Sequence, residues 1–474
     1  MGVPDLRGGL GTPTFYTTNP DVRATHDESV VNMATTEGAV VRTHLLGPRN
    51  PANRQLCHAD IEIRMEADRS AIRVQTGGDP STVMLRPGQW SGWVRLKFKL
   101  GFMQALRGMV RLCLLRTSPH LEFYSSPVNF DPEAPLYPIS SPPEYVKELT
   151  NHLGRFYTTG MVEETTGLNN GRLDESVFLA QCEDVWVERE KMLFHELGRQ
   201  GDGLIFCLFD TTDRVQHMFW RHREPDHPAN RGQARPEFAS VVDDLYRRSD
   251  AVLGRVMEEI GGDTLLMVMS DHGFGSFRRG VDLNAWLREQ GYLALKPGGE
   301  PGEAAGDMLA GVDWNRTRAY SVGLSGIFFN LEGRESQGIV PPGEARPLAD
   351  EIAARLPQFC DPQDGTRAIS TVFRRDQVYS GPYAEESPDL MVNCGPGYRL
   401  SWTSARGGIS SSSFADNEQN WSGDHIIDPS QVPGVFLMNQ PMRPGSVDLR
   451  DMAPTILKAL GVPRGPAMEG EAAV

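Results

Sequence analysis

The chain has no long apolar run. Hydrophobic residues make up 39% of its 474 positions, but none of its segments approaches the roughly eighteen uninterrupted apolar residues that a membrane-spanning helix needs. The best candidate, residues 93–115, is broken by Arg95, Lys97, Lys99, Arg107 and Arg111 and reads as strand and turn. Cysteine is scarce. Its six occurrences form no C-x-x-C pair and keep no regular spacing, which argues against a zinc knuckle or a disulfide scaffold and favours a reducing, cytoplasmic setting. There is no signal peptide at Met1. A Gly-x-x-x-x-Gly-Lys-Ser/Thr loop and a Gly-x-Ser-x-Gly elbow are both missing, so neither a P-loop nucleotide engine nor an esterase of the elbow type is indicated. Positive charge is in deficit, with 47 Lys and Arg against 62 Asp and Glu and a formal net charge of −15. A polyanion such as nucleic acid is therefore repelled. A small anionic substrate remains open, because bound cations would dominate the local field of a site whatever the net charge.

What the chain does have is a pair of short runs, each at the end of a stretch that reads as a buried strand. Residues 203–209 are almost continuously apolar and lead into Asp210-Thr211-Thr212-Asp213-Arg214-Val215-Gln216-His217. That pattern predicts a central parallel strand whose carboxyl end opens on a ligand crevice. If the chain turns helical there, Asp213 and His217 share a face, four residues apart, and one carboxylate and one imidazole can grip the same ion. A surface Asp beside a satisfied His is the plain alternative.

The second run follows the apolar stretch 264–269. Ser270-Asp271-His272-Gly273 places an acid and an imidazole side by side, where adjacent side chains diverge toward different partners and so suggest two ions or one bridged pair. Gly273 and Gly275 allow close backbone approach. A third segment, Trp421-Ser422-Gly423-Asp424-His425, supplies a further imidazole. Carboxylate and imidazole donors in one cluster suit zinc or manganese. Asp210 and Asp424 stand where they could orient ligands from behind. Arg214, Arg278 and Arg279 flank the same runs, where a guanidinium could hold a phosphate oxygen bidentately; a surface arginine is the alternative for each. His222 and His227 read as members of a solvated, charged loop, with a role as supplementary ligands the alternative.

The order strand, Asp-x-x-x-His, long helix, strand, Ser-Asp-His-Gly and a late Gly-x-His resembles the alkaline phosphatase superfamily, in particular its type I phosphodiesterase and nucleotide pyrophosphatase branch. Two stretches agree: Val281-Asp282-Leu283-Asn284-Ala285-Trp286-Leu287 ahead of Gly291-Tyr292-Leu293, and Asp451-Met452-Ala453-Pro454-Thr455-Ile456-Leu457 ahead of Leu460-Gly461. The resemblance spans residues 142–470. It implies that Asp213, His217 and His425 hold one divalent metal ion and Asp271 and His272 a second, zinc or manganese in each case; Arg214 and Arg279, beside these residues, are the candidate substrate contacts. It also implies two-metal hydrolysis of a small phosphodiester or nucleotide pyrophosphate.

The resemblance is incomplete. Members begin with a strand ending in a metal-binding Asp and then carry a Ser or Thr nucleophile, and neither is found here. Met1-Gly2-Val3-Pro4-Asp5-Leu6-Arg7-Gly8-Gly9 is similar to a segment that follows the nucleophile in microbial relatives. The expectation is thus a chain truncated at its amino end, with an incomplete second metal site and impaired hydrolysis. Thr12, Thr14, Thr17 and Thr18 lie in a loop rich in Gly, Thr and Pro and make weak replacement nucleophiles. A non-catalytic relic or binding protein that keeps the fold is the competing reading, and a mutase similar to phosphoglycerate mutase a minor one. A sulfatase is disfavoured because no Cys precedes x-Pro-x-Arg.

Along the chain, residues 1–35 read as a loop-rich remnant of the catalytic domain. Residues 36–130 alternate in short stretches such as Ile61-Glu62-Ile63-Arg64-Met65, the texture of an inserted β-rich subdomain, with Trp90, Trp93 and Phe98 as its core. From 131 to 474 helices and strands alternate. Helices are predicted over 143–153, 173–197 and 238–260. Such alternation predicts an α/β domain, a mostly parallel sheet with helices on both faces. The Ser-rich stretch 407–420 reads as a flexible loop that delivers His425.

Overall fold

The computed structural model describes residues 4–8, 11–25, 28–34, 40–101, 104–199, 201–302 and 306–474. Met1, Gly2 and Val3, at the head of the amino-terminal segment, lie outside the described residues, as do 35–39, where the β-rich region was predicted to start. The fold is mixed α and β with several separate sheets. It divides into two compact units, Met1–Met218 with Asp243–Ile260, and Phe219–Val242 with Gly261–Val474.

In the first unit, alternation of apolar and polar residues builds the sheets. Strands Val40–Arg49, Leu56–Met65, Ile72–Thr76 and Thr82–Leu85 form an antiparallel meander. Ile61 and Ile63 point inward while Arg64 points out, as the two-residue period of a strand requires. Their inner face packs with Leu45, Val74, Leu96 and Phe98. Of the predicted aromatic core only Phe98 is fully buried. Trp90 and Trp93 are half-buried, because each packs against an element outside the meander. The Trp90 indole donates to the Val177 carbonyl at 3.1 Å, and Trp93 sits edge-on to Tyr157.

Helices then take over. Tyr145–Leu153, Glu175–Leu197 and Val241–Glu259 each fall within a few residues of their predicted limits. The longest starts where Asp174 accepts from the Val177 amide at 2.8 Å, an N-cap. Val177, Phe178, Gln181, Cys182, Val185 and Trp186 form its buried stripe, the spacing of one helical face.

The second unit carries strand Gly275–Val281 between Gly397–Leu400, which runs parallel to it, and Phe414–Asp416, which runs antiparallel. Gly423–Asp424 pairs onto the start of the same strand. A separate antiparallel sheet contains Ala319–Ser321, Gly326–Phe329, Leu390–Cys394 and Ile369–Arg374. Asp282 caps helix Leu283–Glu289, its carboxylate accepting from the Ala285 amide at 2.9 Å. Trp286 and Leu287 from that helix join a core with Ile327, Phe329 and Ile352.

The strand pairings differ from the mostly parallel sheet that was predicted. Among the described strands of two or more residues only Thr14–Thr17 with Ser29–Asn32 and Gly275–Val281 with Gly397–Leu400 run parallel. Residues 203–209 join no ladder among the described residues. Leu204, Phe206 and Leu208 are 56%, 72% and 52% exposed. An apolar run becomes a central strand only when neighbours on both edges take up its N–H and C=O groups, and no described strand does so here. The predicted strand 264–269 shortens to Met267–Met269, paired antiparallel with Phe436–Met438. The stretch 407–420 is tied down rather than flexible: Phe414–Asp416 lies in the sheet, and the Asn417 amide group donates to the carbonyls of Phe277 and Trp421 at 2.8 Å each. No helix of the described residues is long and apolar enough to cross a membrane.

Burial also sets the pH response of the first unit. Glu164 is buried, accepts from the Tyr124 hydroxyl at 2.9 Å, and is pushed up to about 8, chiefly by burial. The folded protein therefore keeps a proton that the unfolded chain releases near 4.5, so stability is lost as pH rises from about 4.5 through 8. Denaturant midpoints at intervals across that window should fall with pH. They should fall less steeply in Glu164→Gln, with the remaining slope due to Glu188 and Glu163, which burial raises in the same direction.

Candidate metal centre

In the first unit, helix Thr211–Phe219 presents Asp213 and His217. Its first turn is fixed by the Asp210 carbonyl, which accepts from the Asp213 amide at 3.2 Å. Buried Glu163 accepts from the Thr211 hydroxyl at 2.6 Å. With the helix so anchored, one turn places Asp213 Oδ2 3.4 Å from His217 Nε2, as the predicted spacing demands. His217 is 2% exposed, so its imidazole is held in place. Asp213 is also contacted by the guanidinium of Arg214. Glu163 was not found by reading the sequence, since an acid in a loop carries no periodic signal. Its carboxyl is raised by burial and then by Asp210.

In the second unit, Asp271, His272 and His425 come together. The His272 and His425 rings stack, centroids 3.6 Å apart and planes 13° from parallel. His272 Nδ1 lies 3.0 Å from the Gly273 carbonyl. A carbonyl only accepts, so Nδ1 carries the proton and Nε2 is left with the lone pair that a metal would take. That Nε2 stands 3.6 Å from Asp271 Oδ1, and the Asp271 side chain is 70% exposed. Phe274 meets both imidazoles, at 5.6 Å and 5.3 Å.

Behind His425 is a buried ion pair. Asp424 and Arg399 are each 1% exposed in their side chains and meet at 2.7 Å. Asp424 Oδ2 also accepts from the Trp421 indole at 2.8 Å, while its Oδ1 accepts from the backbone amides of His425 and Ile426 at 2.8 Å and 2.9 Å. Arg399 lies 3.9 Å over the Trp402 ring. Asp424 thus orients His425 through the backbone, not through the imidazole. Arg399 was missed, because a lone Arg between Tyr398 and Leu400 in a strand reads as an outward-facing residue.

The other candidates are placed as follows. Asp361 and Asp416 both hold the Arg279 guanidinium. Arg278 is likewise held, by Glu224 at 2.8 Å and Asp226 at 3.0 Å. His222 and His227 are buried, not solvated as predicted. Burial pushes them down to about 3 and about 4, and His227 Nδ1 accepts from the Ala229 amide at 3.1 Å. The charged residues around them suggest a wet loop, but Phe219 and Phe238 pack on the His222 ring.

Removing one partner of a buried ion pair leaves the other charge without compensation, at a cost of about 3–5 kcal/mol. Asp424→Asn should therefore lower the stability of the second unit by about that amount. Asp424→Asn combined with Arg399→Met should cost less than the two single changes added together. Denaturant unfolding of the four proteins measures both.

Two comparisons with known proteins bear on the chain. No curated protein matches it. The sequence profile described as type I phosphodiesterase / nucleotide pyrophosphatase matches residues 117–425, against the predicted 142–470. That range takes in helix Thr211–Phe219, the Asp271 and His272 pair and His425. A profile match over more than half of the sequence, on top of these acid and imidazole side chains, makes the chain a member of the type I phosphodiesterase / nucleotide pyrophosphatase family, a family of phosphoric ester hydrolases.

Proposed function

We propose that the chain is a metal-dependent phosphodiesterase or nucleotide pyrophosphatase, with one divalent ion held by Asp213, His217 and His425 and a second by Asp271 and His272. The donor chemistry carries this reading: one unit presents Asp213 beside His217 and the other presents Asp271 beside His272, whose ring stacks on that of His425. Such donors fit zinc or manganese. Three protein ligands with an open position are the pattern of a catalytic ion. The second set has one imidazole and one exposed carboxylate, so it binds its ion more weakly.

When bound, the ions stabilise negative charge on the phosphoryl oxygens and lower the pKa of a nucleophilic hydroxyl or water. The chain's own residues supply position. Burial fixes His217, the Gly273 carbonyl sets the His272 tautomer, and Asp424 holds the backbone of His425. Arg214, paired with Asp213, and Arg279, paired with Asp361 and Asp416, are the arginines we assign to the phosphoryl oxygens. The substrate is a small anionic phosphoester.

Metal analysis and turnover together test the reading. After dialysis the protein should retain one tightly bound ion, which His217→Ala should lose. Added zinc or manganese should raise turnover of bis(nitrophenyl) phosphate above that of nitrophenyl phosphate. His217→Ala should cut that turnover by about 100-fold or more, the scale of losing one transition-state charge contact. Two ions retained with equal firmness would refute the unequal sites. Metal uptake without hydrolysis of any ester would refute the enzyme reading in favour of a phosphoester-binding protein.

A further inference from the structure

The long helix Glu175–Leu197 has a second face that its buried stripe leaves out. Val187, Glu190, Lys191, Phe194 and His195 recur at i, i+3, i+4, i+7 and i+8, the spacing of one helical face. They line a cleft of about 800 Å³ within the first unit. His152 and Leu153, from the end of helix Tyr145–Leu153, also line it, and Arg248 and Arg255, seven residues apart on helix Val241–Glu259, complete the wall. A volume of this size lies in the range of about 300–1,000 Å³ that small-molecule sites occupy.

The lining carries four cationic side chains, Lys191, Arg199, Arg248 and Arg255, against one carboxylate, Glu190. Helix dipoles attract cations only within the last turn, which accounts for His152 and His195 but not for Lys191 or Arg248. Three of the four cations are held in place by acids. Arg248 is held by Glu183 at 3.0 Å and Glu190 at 4.0 Å, Arg255 by Glu190, and Arg199 by Glu148 at 3.0 Å and Glu196 at 3.1 Å. A guanidinium has five N–H donors and a carboxylate engages two of them at most, so each arginine keeps a donor for a further oxygen. Lys191 differs: it is exposed, and among the described residues it makes no hydrogen bond or ion pair. Beside these charges the cleft is apolar and aromatic. The Arg255 guanidinium lies 3.9 Å over the Phe194 ring, the His152 and His195 rings stack with centroids 3.9 Å apart, and Leu153 and Val187 add aliphatic surface.

We propose that this cleft binds a small organic phosphate, with its phosphate oxygens on Lys191 and the arginines and its apolar body against Phe194 and Leu153. Guanidinium forks match phosphate oxygens, and a lysine adds a mobile point charge. A cleft that pairs a few convergent polar groups with apolar walls recognises both halves of such a molecule. Inorganic phosphate uses only the charged half and binds more weakly. None of the residues of the candidate metal centre lines the cleft, so the site does not depend on the catalytic reading of Asp213, His217 and His425.

Calorimetric titration of the full chain with phenylphosphonate tests it, in EDTA so that no metal ion offers a competing phosphonate site. The carbon–phosphorus bond keeps the probe from being hydrolysed. One molecule should bind per chain, more tightly than inorganic phosphate. Lys191→Ala should weaken binding roughly 10-fold, the scale of one hydrogen bond to a charged group. Lys191→Glu should abolish it, and Lys191→Arg should retain it. Lys191 is exposed, so these changes leave the fold intact, which circular dichroism confirms. Absence of binding to the wild-type chain, or binding that Lys191→Glu leaves unchanged, overturns the site. Equal affinity for inorganic phosphate and phenylphosphonate overturns the role of the apolar wall.

Discussion

Asp424 is sealed from water, and the loop that carries His425 depends on how its charge is compensated. A buried carboxylate is tolerated only with a counter-ion and a full set of donors. Arg399, the Trp421 indole and two backbone amides provide them. The last two amides belong to His425 and Ile426, so satisfying the acid fixes the backbone from which an imidazole is presented. The stacked His272 and His425 rings follow from that placement. An uncompensated Asp424 would have to seek water, and the chain would move with it.

The first unit solves the corresponding problem with a helix. Asp213 and His217 are related by one turn, and the helix start is held by the Asp210 carbonyl and by Glu163. Little else is needed, because the spacing of two side chains along a helix is set by its geometry. One unit presents its candidate ligands from a regular element whose periodicity does the positioning. The other presents them from strand ends and a loop, which must be braced by a buried polar network.

That difference explains how much was legible beforehand. The Asp213 and His217 pair could be read because i,i+4 spacing is local. The long helix Glu175–Leu197 was legible for the same reason. Strand assignments were less secure. Residues 203–209 have the apolar content of a central strand, yet the exposure of Leu204, Phe206 and Leu208 shows that apolar content does not supply neighbours. His222 and His227 were read as solvated from the charges around them, while packing against Phe219 and Phe238 put His222 inside. Glu163 and Arg399 were invisible because their roles rest on partners far away in sequence.

The sequence by itself determined the family and the helices Tyr145–Leu153, Glu175–Leu197 and Val241–Glu259, since motif order and helical periodicity are written along the chain. Tertiary structure alone decided which strands pair, which arginines are already bound by acids, and what braces His425. Those outcomes depend on hydrogen-bond partners and counter-charges brought together from distant segments, and no local pattern encodes them.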